Sequence, residues 1–221
     1  MSQEELKRKV GHYAASLVKD GQILGMGTGS TTSWFAKALG NRVRDGETFL
    51  AVPTSYQARI LCRENGIGIT SLDDHDPEIA FDGADEVNPN NQLIKGRGGA
   101  HTQEKIVDYA AKEFYVLIDQ SKLVQTLGTS FPVPIEVIPL AAGQLLRTLS
   151  SYGTPVLRMA KAKDGPVISD NGNFIIDLYT KVTNPIEFEH ELNNMPGSIE
   201  NGIFTKPCKI IVAYDDVIDV K

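Results

Sequence analysis

Residues 22–39, "QILGMGTGSTTSWFAKAL", decide the fold. An apolar run, QILGM, meets a glycine turn, GTGS, and the turn opens a stretch, STTSWFAKAL, with helical spacing. A strand that passes at once into a helix is the first half of a strand, helix, strand unit, because parallel strands need a long crossover and not a hairpin. The backbone N–H groups of such a turn converge at a helix N-terminus, where hydrogen bonding and the helix dipole both favour an anion. The segment fails as a dinucleotide fingerprint: GxGxxG begun at Gly25 needs a glycine where Ser30 sits, and begun at Gly27 needs one where Thr32 sits. It fails as a Walker A loop because no lysine precedes the Ser/Thr pair. What is left is a compact turn with hydroxyls at Thr28, Ser30, Thr31 and Thr32, sized for one phosphoryl group. The plain alternative is a turn whose Ser or Thr caps the helix.

Working outward, the alternation continues. Ser2 and Glu5 fit a capping box, and Leu6, Val10, Tyr13, Ala14 and Leu17 follow at helical spacing, which predicts a helix over 3–18. Downstream, TFLAV (48–52) precedes TSYQARILCREN (54–65), then come GIGIT (66–70) and EIAFDGADE (78–86), and HTQEKIVDYAAKE (101–113) precedes FYVLID (114–119). This order predicts an α/β, Rossmann-like parallel sheet with helices on both faces, whose ligands sit beyond the carboxyl ends of the strands. From residue 129 the texture changes: TSFPVPIEVIPL carries three prolines. A helix ending at Gly153, a strand PVLRMA (155–160), a hairpin in PVISDNGNFIIDL (166–178) turning on Asn171 and Gly172, and a helix from Pro185 give a ferredoxin-like order. The apolar CKIIVAY (208–214) returns to the main sheet. The expected domains are therefore residues 1–128 with 205–221, Rossmann-like and catalytic, and residues 129–204, a smaller α+β ferredoxin-like domain.

Bulk properties narrow the function classes. The 221 residues carry a net charge of −6, which argues against non-specific nucleic-acid binding, so an anionic ligand needs a local site working against the global field. No apolar run approaches the roughly 18 residues of a membrane span, and the N-terminus lacks a signal-peptide core, so a cytoplasmic protein without membrane partners is expected. Cys62 and Cys208 lie far apart with no companions at metal-ligand spacing; both read as buried small hydrophobes. The adjacent DDHD side chains at 73–76 cannot all face one ion and read as a solvated loop, so no metal site is assigned. His12 and His190 read as surface or packing residues, and His101 as structural or capping.

Residues 81–105, "FDGADEVNPNNQLIKGRGGAHTQEK", gather opposed charge around glycines. Asp82 ends an apolar strand and Asp85 lies three residues on, so two carboxylates share a strand end, where mutual repulsion and burial split their pKa values into an acid and a base. Lys95, flanked by Gly96, Gly98 and Gly99, presents an ammonium and bare backbone to a developing oxyanion. Glu104, beginning the next helix, is the candidate base. Each charge taken alone reads as a solvated loop residue, and Glu86 is assigned that ordinary surface role.

These motifs resemble the A type of ribose-5-phosphate isomerases: GMGTGSTT at 25–32, DGADEV at 82–87, LIKGRGGA at 93–100, TQEKI at 102–106, DQSK at 119–122 and DNGNFIID at 170–177, in the family's order and over nearly the whole chain. The resemblance implies interconversion of D-ribose 5-phosphate and D-ribulose 5-phosphate through an enediolate, with no metal or organic cofactor, by a homodimer or homotetramer. By motif position, Glu104 moves the proton between C2 and C1, Asp82 and Asp85 handle hydroxyl and ring-opening protons, and Lys95 stabilises the enediolate oxygen. Thr28, Gly29, Ser30 and Thr31 form the substrate turn, with Gly83, Ala84, Gly96, Arg97 and Gly98 as further contacts, and Lys122 and Lys7 as basic contacts. Arg97 departs from the family's all-glycine run, and its side chain is expected to point to solvent. The competing readings are a non-catalytic sugar-phosphate sensor, and a sugar-phosphate deaminase or acyl-CoA transferase on a similar sheet.

Overall fold

The computed structural model describes all residues, Met1–Lys221. In chain order the elements begin with α1 (Gln3–Ser16), β1 (Ile23–Met26), α2 (Ser30–Arg44), β2 (Leu50–Pro53), α3 (Tyr56–Glu64), β3 (Gly68–Ile69) and β4 (Ile79–Gly83). They continue with β5 (Glu86–Val87), β6 (Leu93–Ile94), α4 (His101–Ala110), β7 (Glu113–Asp119), β8 (Val133–Val137), α5 (Ala142–Leu149) and β9 (Thr154–Leu157). The last are β10 (Phe174–Tyr179), α6 (Pro185–Asn193), β11 (Ser198–Asn201), β12 (Ile203–Phe204), β13 (Lys209–Ala213) and β14 (Ile218–Val220). Short 3₁₀ turns cover Gln120–Lys122 and Pro139–Ala141. No helix is long and apolar enough to cross a membrane.

The chain divides into two compact units. The first comprises Met1–Ala84, Gln103–Lys122 and Pro207–Lys221; the second comprises Asp85–Thr102 and Leu123–Lys206. Residues 85–102, which the sequence reading keeps with the Rossmann-like part, group with the second unit. Their two short strands pair with each other and with β12, so their ladder bonds lie there and not in the main sheet.

The first unit is built on a seven-stranded sheet ordered β14-β13-β7-β4-β1-β2-β3, parallel except for β14. The chain runs from β1 outward to β3, then returns to place β4 on the other side of β1. A topological switch point therefore lies between β1 and β4, where ligands of open α/β sheets bind. Leu24 and Met26 point to one face and pack with Leu6, Val10 and Ala14 of α1 and Phe35 and Leu39 of α2. Gly25 points to the other face, where a Cβ would lie 3.1 Å from Val107 of α4 and 2.7 Å from Ala80. Helices thus cover both faces, and the capping box expected at Ser2 and Glu5 starts α1. β13 pairs parallel with β7, so the C-terminal apolar run returns to the main sheet as expected.

In the second unit a four-stranded sheet is ordered β11-β8-β10-β9. With α5 after β8 and α6 after β10, this is the ferredoxin-like arrangement. Val133, Ile135, Val137, Ile176 and Leu178 pack with Leu145 and Leu149 of α5 and Leu192 of α6. A separate three-stranded sheet is ordered β12-β6-β5. The turn at Asn171 and Gly172 forms, with Gly172 at φ 83°. The hairpin arm preceding it does not, since β10 pairs with β9, Leu157 opposite Ile176. Residues 169–173 instead turn Ser169, Asn171 and Asn173 toward a buried carboxylate.

Two side chains depart from their assigned surroundings. Glu86 is not a surface charge: it is fully buried and accepts backbone N–H bonds from Gly128 (2.6 Å), Ser130 and Phe131 (2.9 Å). A lone carboxylate at that depth survives only with such donors. Cys62 is buried, and burial pushes its thiol up to about 12, whereas Cys208 is only half-buried.

Because Gly25 lets α4 approach the sheet, Gly25→Ala is expected to cost about 1–3 kcal/mol through overpacking against Ala80 and Val107. A urea melt with an unchanged midpoint would show that the helix can retreat without loss.

Candidate active site

The first unit gathers ten of the candidate residues around the carboxyl edge of its sheet. β1 ends at Met26, opposite Phe81 of β4, so Gly27 comes opposite Asp82. Gly27 donates its N–H to the Phe81 carbonyl at 2.9 Å, and Thr28 donates its N–H to Asp82 Oδ1 at 3.1 Å. The Gly83 N–H donates to the same oxygen at 2.7 Å, and Asp82 is fully buried. A Cβ on Gly27 would stand 2.2 Å from the Asp82 Cγ, so only glycine leaves room for that carboxylate. Ala84 follows directly after the end of β4.

Glu104 is positioned by register. Val107 of α4 touches the face of β1 at Gly25, and Glu104 lies three residues earlier on the same helical face. The helix precedes the parallel strand β7 and so runs against the sheet, carrying Glu104 about 4.5 Å nearer the carboxyl edge than Val107. Asp82 points to that same face, because it alternates with Phe81, whose ring packs on Phe35 of α2 on the opposite side. Glu104 is only 5% exposed.

The glycine turn does more than cap a helix. The N-cap of α2 is Gly29, at φ 120°, and no side chain caps the helix. Ser30 and Thr31 begin the first turn, Ser30 exposed and Thr31 half-buried. The Thr28 hydroxyl lies 2.9 Å from that of Thr54 and 2.6 Å from that of Ser55. Thr54 and Ser55 were not singled out from the sequence; the available signal was a Thr-Ser pair directly after an apolar strand. Lys122 stands in the 3₁₀ turn beyond β7, at the same edge. Gln3 at the start of α1 donates to Asp119 of β7 at 3.3 Å, and Lys7 follows one turn later, half-buried and 3.8 Å from Glu4.

The second unit holds Asp85, Lys95, Gly96, Arg97 and Gly98. Lys95 is 2% exposed; its N–H donates to the Gly202 carbonyl at 2.9 Å and its ammonium lies 5.4 Å from the centre of the Phe204 ring. Gly96, at φ 102°, must be glycine because a Cβ would meet His101 and Pro134, each at 2.8 Å. The buried His101 ring, 3.3 Å from the Glu200 carbonyl, supports this loop from beneath. Arg97 contributes its backbone: its N–H donates to Asp85 Oδ2 at 2.9 Å, while its side chain is 70% exposed and reaches only 3.9 Å from Asp85, as the expectation of a solvent-facing side chain has it. Gly98 is exposed, with open space around its Cα.

Glu136 of β8 was not foreseen. It is fully buried and accepts from Thr102, from Ser169 (2.6 Å), from Asn173 (2.9 Å) and from Asn171 (3.1 Å). Thr102 stands two residues before Glu104 in α4, so the DNGN motif at 170–173 serves a carboxylate that anchors the start of that helix. Burial pushes the Glu136 carboxyl up, but the hydroxyl and amide donors outweigh it and hold the group below the usual range.

An anion-favouring helix start beside a buried carboxylate at a sheet switch point is the arrangement with which open α/β sheets hold small phosphorylated ligands. A sequence model of the family described as ribose 5-phosphate isomerase A (phosphoriboisomerase A) matches residues 50–217. Ribose-5-phosphate isomerase A of Methanocaldococcus jannaschii is 54% identical over 215 residues, 96% of this chain and 95% of that protein. The corresponding protein of Thermococcus kodakarensis is 49% identical over 217 residues, 96% and 95% of the two chains. The solved M. jannaschii structure superposes with a TM-score of 0.97 at 50% identity, covering 100% of this chain and 99% of that one. A D-ribose-5-phosphate isomerase solved in complex with phospho-erythronic acid superposes at 0.98 with 47% identity and the same coverage. The chain belongs to the ribose 5-phosphate isomerase A family.

Because the folded-state pKa of Glu136 lies below its ordinary 4.5, its stabilisation is complete above that value and is lost as pH falls through the lower folded value. Glu136→Gln is therefore expected to be less stable than wild type at pH 7 and to lose less further stability below about pH 4.5. Denaturant melts at neutral and acid pH check this; parallel pH dependence in the two proteins would exclude Glu136 as a source of the acid loss.

Proposed function

We propose that this chain is an aldose-ketose isomerase interconverting D-ribose 5-phosphate and D-ribulose 5-phosphate by proton transfer through an enediolate. Its near full-length similarity to ribose-5-phosphate isomerases in both sequence and backbone carries this reading. The chemistry fits a related enzyme's complex: phospho-erythronic acid presents a carboxylate where an enediolate would present its two oxygens.

The reaction moves one hydrogen from C2 to C1 and one from O2 to O1, with no net oxidation. In the proposed division of labour Glu104 removes the C2 proton and returns it to C1. The electrons released flow to the C1 oxygen, where the Lys95 ammonium and the backbone of Gly96, Arg97 and Gly98 stabilise the growing charge. Asp82 and Asp85 move the hydroxyl and ring-opening protons, with Gly83 and Ala84 lining the sugar. Thr28, Gly29, Ser30 and Thr31 hold the substrate by the uncapped start of α2, helped by Lys122 and Lys7. The orientation of Asp82 by two N–H donors supports its role, since a fixed carboxylate is the one that can exchange protons at a defined atom. The same reading extends to a cytoplasmic homodimer or homotetramer with neither nucleic-acid nor membrane partners.

Turnover of ribose 5-phosphate in chelator-treated buffer tests the activity, and Glu104→Gln is expected to lower kcat on the order of 100-fold or more. A near wild-type rate in that variant would remove Glu104 from the mechanism. Solvent deuterium is expected at C1 of the ketose product; binding of ribose 5-phosphate without turnover would instead favour a sugar-phosphate sensor.

A further inference from the structure

The peptide between Gly96 and Arg97 is gripped at both ends within the second unit. Its N–H donates to Asp85 Oδ2 at 2.9 Å, and its carbonyl accepts from Arg158 Nη1 at 3.0 Å. The same Nη1 donates to the next carbonyl, that of Arg97, at 3.2 Å. The other edge of the guanidinium is fixed by Asp177, with Nε to Oδ2 at 2.8 Å and Nη2 to Oδ1 at 2.5 Å. Both side chains of that pair are nearly buried, 14% and 13% exposed. A bidentate ion pair of this kind allows the arginine one orientation.

We propose that Arg158, held by Asp177, is a positioning residue for isomerisation: it fixes the plane of the Gly96–Arg97 peptide and thereby the aim of Asp85 and of the Lys95–Gly98 backbone. In a trans peptide the carbonyl and N–H point in opposite directions, so turning the two carbonyls toward Arg158 turns the Arg97 and Gly98 N–H groups away from it. Arg97 N–H is thereby delivered to Asp85 Oδ2, which fixes the plane of that carboxylate, while Oδ1 lies 3.9 Å from the exposed Arg97 guanidinium. Glycine at 96 and 98 makes this loop conformationally permissive, and Gly96 at φ 102° lies where glycine alone is at ease, so an external clamp is what selects one geometry. Asp177 is needed because a cavity of about 400 Å³, lined in part by Arg97, Phe131, Arg158 and Tyr179, lies beside the pair and gives an unpaired guanidinium somewhere to swing. Arg158 touches none of the proposed reacting atoms.

The proposal rests on the isomerase reading and on Asp85 and Lys95 acting in it, and two readouts separate the failures. Arg158→Met is expected to lower kcat about 10- to 100-fold with KM changed far less, because misplacement of the reacting groups weakens transition-state contacts more than substrate contacts. Hydrogen exchange at the Arg97 amide is expected to accelerate in the same variant, with Arg158→Lys recovering part of both effects. A folded Arg158→Met with kcat within about twofold of wild type overturns the proposal, as does a fall in kcat with exchange at Arg97 unchanged. Should Arg158→Met not fold, Asp177→Asn decides: faster exchange with lower kcat supports the clamp, and wild-type values for either overturn it. Absence of ribose 5-phosphate turnover by the wild-type protein would sink the isomerase reading, while the exchange measurement would still judge the clamp.

Discussion

A buried carboxylate lying across a bare Cα governs the arrangement at the sheet edge. Asp82 is fully buried, and two N–H groups, from Thr28 and Gly83, converge on one of its oxygens. Buried polar groups persist only where hydrogen-bond donors replace the water they have lost, and these two N–H groups do so for that oxygen. The arrangement exists only because Gly27 has no side chain and because the parallel strands β1 and β4 are neighbours where the order of the strands reverses. The uncapped start of α2, the end of β4 and the register of Glu104 on α4 all follow from that pairing.

The same solution recurs in the second unit. Glu86 takes three backbone N–H groups from residues 128–131, and Glu136 takes two hydroxyls and two side-chain amides. The partners are neutral donors, which satisfy a buried carboxylate without burying an opposite charge as well. Polar motif residues such as those at 169–173 are thereby explained without any contact to substrate: they supply donors to Glu136, and through Thr102 the carboxylate reaches the beginning of the helix that carries Glu104.

The glycine loop at 95–99 shows why a bulky side chain can stand in a segment that needs close backbone approach. Arg97 serves through its N–H and its carbonyl, and both of those are independent of its side chain, which is 70% exposed. The strict requirement falls instead on Gly96, where positive φ and the packing of His101 and Pro134 exclude a Cβ. Substituting one glycine of such a loop is therefore tolerated or not according to which side of the peptide is occupied.

From the sequence alone one could read the alternation of strands and helices, the ferredoxin-like order after residue 129, the return of the last apolar strand, and the strand-end positions of the glycine turn and Asp82. All of these rest on periodicity and turn chemistry within about a dozen residues, where neighbours in sequence are neighbours in space. What the sequence could not yield are partners far apart along the chain. Glu86 looks like any loop carboxylate until residues 42 to 45 positions away close over it. Arg158 meets Gly96 across 62 positions and Glu136 meets Asn173 across 37. The hairpin arm at 166–169 and the grouping of residues 85–102 were likewise decided by pairings with distant strands. Burial and orientation are properties of the assembled chain, so the tertiary structure alone determined which charges are exposed, which are anchored, and which hold another residue in place.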